Sequence, residues 1–325
     1  MYAEPDRMVG TPVGGFPGDL LKPRLDYFGV GYDDYDRVIR FGPIVVVEAD
    51  VGGSTVAQTL SSNGYRSTGS YGGYELFGRT DIQRTVAVEE QRLLFSRGRE
   101  SEANVTAVID AEMGDVDRYH GTDDSFATLS ASVGSHPFSW LGRGTVSDQA
   151  LTAGFSVTAE GDTVYYVLDE LYPDGQTPSE AGFKERLNED PRAVESAAVD
   201  VEMNGRVASA TMEMSGEQYR EVNGIETRSP SHPQITWGID HVEDDGTVVI
   251  RHEAGESVDA GQVEVRFGGI QDGSLADEQF SARYDRVDPG DELRVDLDGR
   301  PAGAPLVVWH AAPDGGAALL VYDFN

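Results

Sequence analysis

The residues best placed to do chemistry lie in GDVDRYHGTDD, where Asp115, Asp117, His120, Asp123 and Asp124 set four carboxylates and an imidazole within ten residues. Hard oxygen ligands at short spacing suit Ca²⁺, Mg²⁺ or another salt cation, and a metal-dependent hydrolase would be built around such a loop. The run lacks the glycine and closing glutamate of an EF-hand loop, so that geometry is not implied. Its plainer reading is a solvated acidic loop between two helices, with Thr122 or Asp123 capping the second, because charge runs are usually solvated faces.

Other groups carry less. Asp288-Pro289-Gly290-Asp291-Glu292 and Asp296-Leu297-Asp298-Gly299 could hold a cation between loops, but they have the composition of turns bounding a strand at Leu293 to Leu297. His241, His252 and His310 fall in expected strands and would make a metal triad if they converged, although strand histidines more often pack and hydrogen-bond. Glu253 follows His252 directly, so strand alternation puts its carboxylate on the opposite face, away from any acid–base pairing. Tyr65, Tyr71, Tyr74 and Phe77, with Gly69, Gly72 and Gly73 among them, offer either a stacking surface or core packing around a strand bulge, and the alternation favours the second. Asn104-Val105-Thr106 is a glycosylation sequon that has meaning only in an exported chain, and it falls in the first turn of an expected helix.

The familiar catalytic signatures do not occur. There is no Gly-x-Ser-x-Gly elbow, Walker A loop, His-Glu-x-x-His or Gly-x-Gly-x-x-Gly. Only Lys22 and Lys184 are lysines, which disfavours Schiff-base or phosphate-gripping chemistry, and the absence of cysteine removes disulfides, thiol nucleophiles and Cys-ligated metals. These observations lean away from an enzyme, and no cofactor is expected beyond Ca²⁺, Mg²⁺ or structural salt cations.

The elements that must position these residues belong to a chain of 325 residues with 25 basic and 57 acidic side chains, a net charge of -32. Such self-repulsion acts over about 8 Å at physiological salt but over only about 3 Å at molar salt. Acid spread along the whole chain, with arginine replacing lysine, points to an extreme halophile, a haloarchaeon. The same charge argues against nucleic acid and anionic lipid as partners. The apolar runs are strand-sized, so no transmembrane segment is expected, and the N-terminus has no signal-peptide pattern.

The pattern predicts an α+β chain. Residues 1–35, rich in proline and glycine, read as an extended arm. Residues 36–135 form an α+β unit with a strand at Ile44 to Ala49, a helix behind Ser54, strands at Tyr71 to Gly78, Arg84 to Glu89 and Arg92 to Arg97, and two helices ending at Gly114 and Gly134. Residues 136–226 form a second unit. It has a hairpin about Glu160-Gly161-Asp162, a helix begun by the capping box Thr177-Pro178-Ser179-Glu180, and a hairpin through Asn204-Gly205. Both units place helices on one face of an antiparallel sheet, a ferredoxin-like plan. A linker at 227–233 leads to residues 234–325, where alternation at Ile235, Trp237 and Ile239, at Val263 to Phe267, at Phe280 to Tyr284 and at Leu293 to Leu297 indicates an all-β sandwich.

The C-terminal third, through VVIRHEAGESVDAGQVEVRFGG, VDPGDELRVD and PLVVWHAAPDGGAALLVYDF, resembles the β-rich domain of haloarchaeal type IV pilin-like and related cell-surface proteins. His252, Gly255 and Glu256 stand at the end of its first strand and Gly290-Asp291 at its later turn. Pilins of that group carry this domain behind an N-terminal hydrophobic helix, which this chain lacks, so the resemblance does not imply a pilin subunit. The preceding two-thirds is similar to uncharacterised haloarchaeal proteins, often exported and lipid-anchored, through ADVGGSTVAQTLSSNGYRSTGSYGGYELFG, TAVIDAEMGDVDRYHGTDDSFATLSASVG and AEGDTVYYVLDELYPDG. These resemblances imply a cell-surface protein in contact with other envelope proteins and bring no catalytic residues with them. The resulting expectation is a non-enzymatic, extracytoplasmic binding or structural module. A cytoplasmic protein and a binder of small molecules or cations are the alternatives.

Overall fold

The computed structural model describes the chain apart from residues 16–20, 50–51, 80–82, 144–151, 224–231, 243–245, 270–272, 299, 301–302, 314 and 323–325. Most of the expected linker, and the expected turns at Asp245, Asp272 and Asp314, lie outside the described residues. The chain is a mixture of helix and strand with a large antiparallel sheet.

In place of an extended arm, the N-terminus forms a short strand β1 (Tyr2–Ala3) and helical turns at Pro5–Met8 and Pro12–Gly15. Each proline opens its turn, where a missing N–H costs nothing. Next come β2 (Tyr35–Phe41) and β3 (Ile44–Ala49), the helix Gly53–Ser62, and then β4 (Arg66–Tyr71), β5 (Tyr74–Arg79), β6 (Arg84–Glu89) and β7 (Arg92–Arg97). The stretch Tyr71 to Gly78 is therefore two strands meeting at Gly72-Gly73, both at positive φ, which glycine alone adopts freely. Ser54 lies inside its helix, whose N-cap is Gly52. Helices Ser101–Met113 and Asp124–Val133 follow, flanking the short turn Tyr119–Thr122.

Strands β8 (Phe138–Arg143), β9 (Thr152–Glu160) and β10 (Thr163–Leu171) precede the helix Glu180–Leu187. That helix starts later than its expected capping box. Ser179 is the N-cap and accepts from the Gly182 N–H, leaving Thr177 and Pro178 outside the helix. After the turn Pro191–Glu195, β11 (Ala198–Asn204) pairs with β12 (Val207–Ser215), and Asn204 faces Val207. The hairpin loop is thus Gly205-Arg206 rather than Asn204-Gly205, with its positive φ at the glycine, as a type II′ turn requires. The helix Gly216–Val222 closes this region.

The C-terminal strands are β13 (Ile235–Val242), β14 (Thr247–Gly255), β15 (Val258–Asp259), β16 (Val263–Phe267), β17 (Ser274–Leu275), β18 (Arg286–Val287), β19 (Glu292–Asp296), β20 (Leu306–Ala312) and β21 (Gly315–Tyr322). Phe280–Ala282, expected as strand, is a 3₁₀ turn closed by the Arg283 N–H on the Phe280 carbonyl, which drives the Phe280 ring into the core.

Two compact units emerge, and neither follows the consecutive division at 36–135, 136–226 and 234–325. One comprises Met1–Gly18, Asp36–Val47 and Thr106–Thr227; the other comprises Asp19–Tyr35, Glu48–Val105 and Arg228–Asn325. In the first, strands run in the order β11-β12-β10-β9-β8-β1-β2-β3. The helix Asp124–Val133 lies on one face of β9 and β10, with Leu129 and Val133 packed on Leu171 and Val207. Gly154 permits this approach, because a Cβ there would stand 2.6 Å from the Val133 side chain. Phe138, Phe155 and Tyr166 pack on the opposite face, the last two as a stack with centroids 5.2 Å apart.

The second unit contains the strand order β7-β6-β5-β4, a sheet β13-β14-β19, a sheet β17-β16-β20-β21 and the pair β15-β18. One apolar core joins residues of both C-terminal sheets, including Trp237, Ile239, Ile250, Val265, Leu293 and Val308. Burial alternates along β16 and β19 with the period of two that one-sided strands impose.

Candidate functional site

The acidic loop does not gather into a ligand cage. Asp115, Asp117, His120 and Asp124 are exposed, and Asp123 is half-buried because it caps the helix Asp124–Val133. Its Oδ1 accepts from the Phe126 N–H at 2.9 Å, and its Oδ2 accepts from the Tyr119 hydroxyl at 2.7 Å. Among the described residues no group of three or more His, Asp or Glu side chains converges as for a metal. The acids near Leu293 serve turns: Asp291 accepts from the Asp288 N–H, and Asp296 from the Asp298 N–H, each at 2.8 Å.

The histidines divide differently from the expected triad. The His241 side chain lies outside the described set. His310 of β20 meets His232 instead, Nδ1 to Nδ1 at 3.0 Å with the rings edge to face. Both are buried, and burial, followed by the charge of His310, pulls the His232 pKa down to about 4. Burial lowers His310 as well. His252 is wholly buried, sets Nε2 2.9 Å from the Glu256 carbonyl and packs on Trp237; burial lowers its pKa too. Tyr65, Tyr74 and Phe77 are core residues while Tyr71 is exposed, so the aromatic group does not form a continuous stacking face. Asn104 lies in its helix, half-buried, with its amide on the Ser96 hydroxyl at 3.2 Å.

The most concentrated chemistry was not anticipated from the sequence. It is an ionic network in the second unit, built from buried Asp26, Arg79, Arg84 and Glu253 with the exposed Arg97 at its rim. Asp26, 3% exposed, accepts from Arg97 at 2.7 Å and lies 3.2 Å from the Arg84 guanidinium. Burial alone would raise the Asp26 pKa, but Arg84 and then Arg97 outweigh it and hold the carboxyl below its ordinary value. Arg84 also reaches the Tyr65 hydroxyl at 3.4 Å. Arg79 lies over the Tyr65 ring, donates to the Asn63 carbonyl at 2.8 Å and pairs with Glu253. Gln234 extends the polar cluster: its Oε1 accepts from the Tyr32 N–H at 2.7 Å, and its amide donates to the Tyr35 hydroxyl at 3.1 Å.

Glu253 enters this network through a β-bulge. Thr236 faces Ala254 and Trp237 faces His252, leaving Glu253 as the extra residue of β14. Consequently His252, Glu253 and Ala254 are all buried, and strict alternation, which would have sent Glu253 outward, does not hold here. Gly238 of the neighbouring strand leaves room for the carboxylate, since a Cβ at that position would collide with it.

No known protein family matches the chain, and no curated protein does. Among solved structures, crystal form I of TP0453 is similar with a TM-score of 0.39 and 12% identity over 68% of this chain and 96% of that one. Forms III and IV give TM-scores of 0.35 and 0.36 at 10% and 11% identity. Likeness at this level identifies neither a shared fold nor a shared function.

Chemically, the Asp26–Arg79–Arg84–Arg97–Glu253 network fits a clamp better than a reacting centre. Its acids are each matched to guanidinium groups, which do not give up their protons. One sequence signal could have exposed it. Arg84 opens the run Arg84-Thr85-Val86-Ala87-Val88, buried on both faces, where an unpaired cation would be very costly.

Proposed function

We propose that this protein is a non-enzymatic, salt-adapted surface or envelope module that works through protein–protein contacts in a haloarchaeal setting. The observation that carries the reading is the placement of charge. Among the described residues the buried acids are Asp26, Asp169, Glu170 and Glu253, so nearly all of the acidic excess faces solvent, where concentrated salt screens it. Arg79 and Arg84, whose guanidinium groups suit buried pairing, match the interior acids Glu253 and Asp26, while other arginines such as Arg66, Arg99 and Arg118 are exposed.

Contact with partners is supported by β4. It ends its strand order, and all six of its residues are exposed. An edge strand is a natural template for strand addition by another chain. The finer architecture belongs to the same proposal. The C-terminal segment reads as a pilin-like β-sandwich, supported by the core its two sheets share. The ferredoxin-like description rests on the helix Asp124–Val133 over β9 and β10.

The test is light scattering of the purified protein in molar salt, together with crosslinking to a haloarchaeal envelope fraction. Specific capture of an envelope protein, abolished by proline substitution at Ser67 and Ser70 in β4, is the expected result. A monomer that captures nothing overturns the reading.

A further inference from the structure

A second buried charge, in the other unit, is not matched. Asp169 of β10 is 1% exposed, and no cationic side chain among the described residues contacts it. Its Oδ1 accepts from the Ser132 hydroxyl at 2.8 Å and from the Ser209 hydroxyl. Its Oδ2 is buried without a hydrogen-bond partner. The strand register shows what shares that face. Asp169 stands between Gly154 and Ser209, and the next row along the same face contains Ser139, Ser156, Val167 and Thr211. Ser156, also 1% exposed, is a diagonal neighbour of Asp169, and its hydroxyl oxygen too is buried without a partner. Such diagonal positions lie about 7 Å apart. Two orphaned oxygens therefore lie on one sheet face, in the region that the helix Asp124–Val133 covers.

A buried carboxylate with an empty oxygen and no counter-charge is among the most expensive arrangements a fold can hold. A water molecule would satisfy the hydrogen bonds but leave the charge. A divalent ion would replace one uncompensated charge with another, because Asp169 is the single buried acid among the described residues of these two rows: Glu202, opposite Ser209, and Asp200, opposite Thr211, are exposed on the edge strand β11, and the groups bonded to Asp169 are neutral hydroxyls. We propose that Asp169 Oδ2, Ser156 Oγ and Ser209 Oγ hold a dehydrated monovalent cation, Na⁺ or K⁺. The Ser209 hydroxyl gives its proton to Asp169 and keeps its lone pairs for the ion. The site is distinct from the acidic loop at Asp115 to Asp124 and does not depend on where in the cell the chain works.

The experiment compares thermal unfolding in NaCl, KCl and tetramethylammonium chloride at one ionic strength and at neutral pH. The wild type unfolds several degrees higher in NaCl or KCl than in tetramethylammonium, and Asp169→Asn loses most of that difference, since a ligand that binds only the folded state stabilises it. Crystals grown in RbCl give a second readout that needs no variant: an anomalous peak between Asp169 and Ser156. The inference is overturned if Asp169→Asn keeps the full wild-type difference between cations. It is equally overturned if the rubidium crystals show no anomalous peak there, which would leave a water or a protonated carboxyl. Should Asp169→Asn fail to fold, the rubidium crystals decide.

Discussion

Glu253 meets the Arg79 guanidinium from a bulged position on β14, and both side chains are almost completely removed from water, at 2% and 3% exposure. Removing one partner from such a pair strands the other, which typically costs about 3–5 kcal/mol, whereas replacing both with apolar groups is often neutral. Arg79→Met and Glu253→Leu should each lower stability by roughly that amount, and the double variant should recover much of it. Denaturant unfolding of the four proteins closes the cycle. Additive losses would show that the pair is not coupled. Gly238→Ala, which drives a methyl into the Glu253 carboxylate, should destabilise by about 1–3 kcal/mol through overpacking.

The pair His232 and His310 makes the fold sensitive to mild acid. The folded-state pKa of His232 is about 4, against an ordinary 6.5, so between these values the unfolded chain binds the proton and the folded chain does not. Stability is therefore complete above pH 6.5 and falls as pH drops toward 4, by on the order of 3 kcal/mol for His232 alone. Beyond His310, no charged group among the described residues acts on His232. Unfolding midpoints from pH 7.5 to 4.5 should show the decline, and His232→Phe should flatten it. A slope unchanged in that variant would place the sensitivity elsewhere.

Much of the fold was legible wherever one local rule decided the outcome. Alternation located Ile235 to Ile239, and the stops at Gly114 and Gly134 come at positive φ. Legibility failed where tertiary structure overrode parity. The bulge at Glu253 and the 3₁₀ turn at Phe280 each break a period of two that the residues alone would continue. The ionic network joins residues as far apart as Arg79 and Glu253, and no local spacing reports a pairing across that separation. The acidic loop shows the reverse case. Its residues are adjacent in sequence yet fill no common site, since Asp123 is taken up by capping.

Helix caps give a direct comparison between an expected element and an observed one. Thr177 has the sequence of a capping box but stands outside its helix, whereas Ser215 and Gln218 form a reciprocal box, with the Gln218 N–H on Ser215 Oγ at 3.2 Å and the Ser215 N–H on Gln218 Oε1 at 2.8 Å. Ser215→Ala should cost about 1 kcal/mol, and Thr177→Ala less than about 0.5 kcal/mol. Chemical denaturation of the two variants checks the order, and equal losses would contradict the observed cap.

The charge of -32 leads to the last expectation, a dependence of folding on salt concentration. Exposed acids repel one another across about 8 Å at 0.15 M salt and about 3 Å at 1 M, so the folded state gains with salt until screening is complete. The buried pairs Asp26–Arg84 and Arg79–Glu253 are shielded from that effect and contribute almost equally at all concentrations. The unfolding midpoint should therefore rise steeply from 0.15 M to about 1 M NaCl and then more gently. Replacing exposed Glu75, Glu89 and Glu90 with glutamine should raise stability at low salt and leave the high-salt value nearly unchanged. Equal gains at both concentrations would mean that those residues act through local packing or capping and not through the summed field. That result would remove the physical basis for reading the acidic surface as an adaptation to salt.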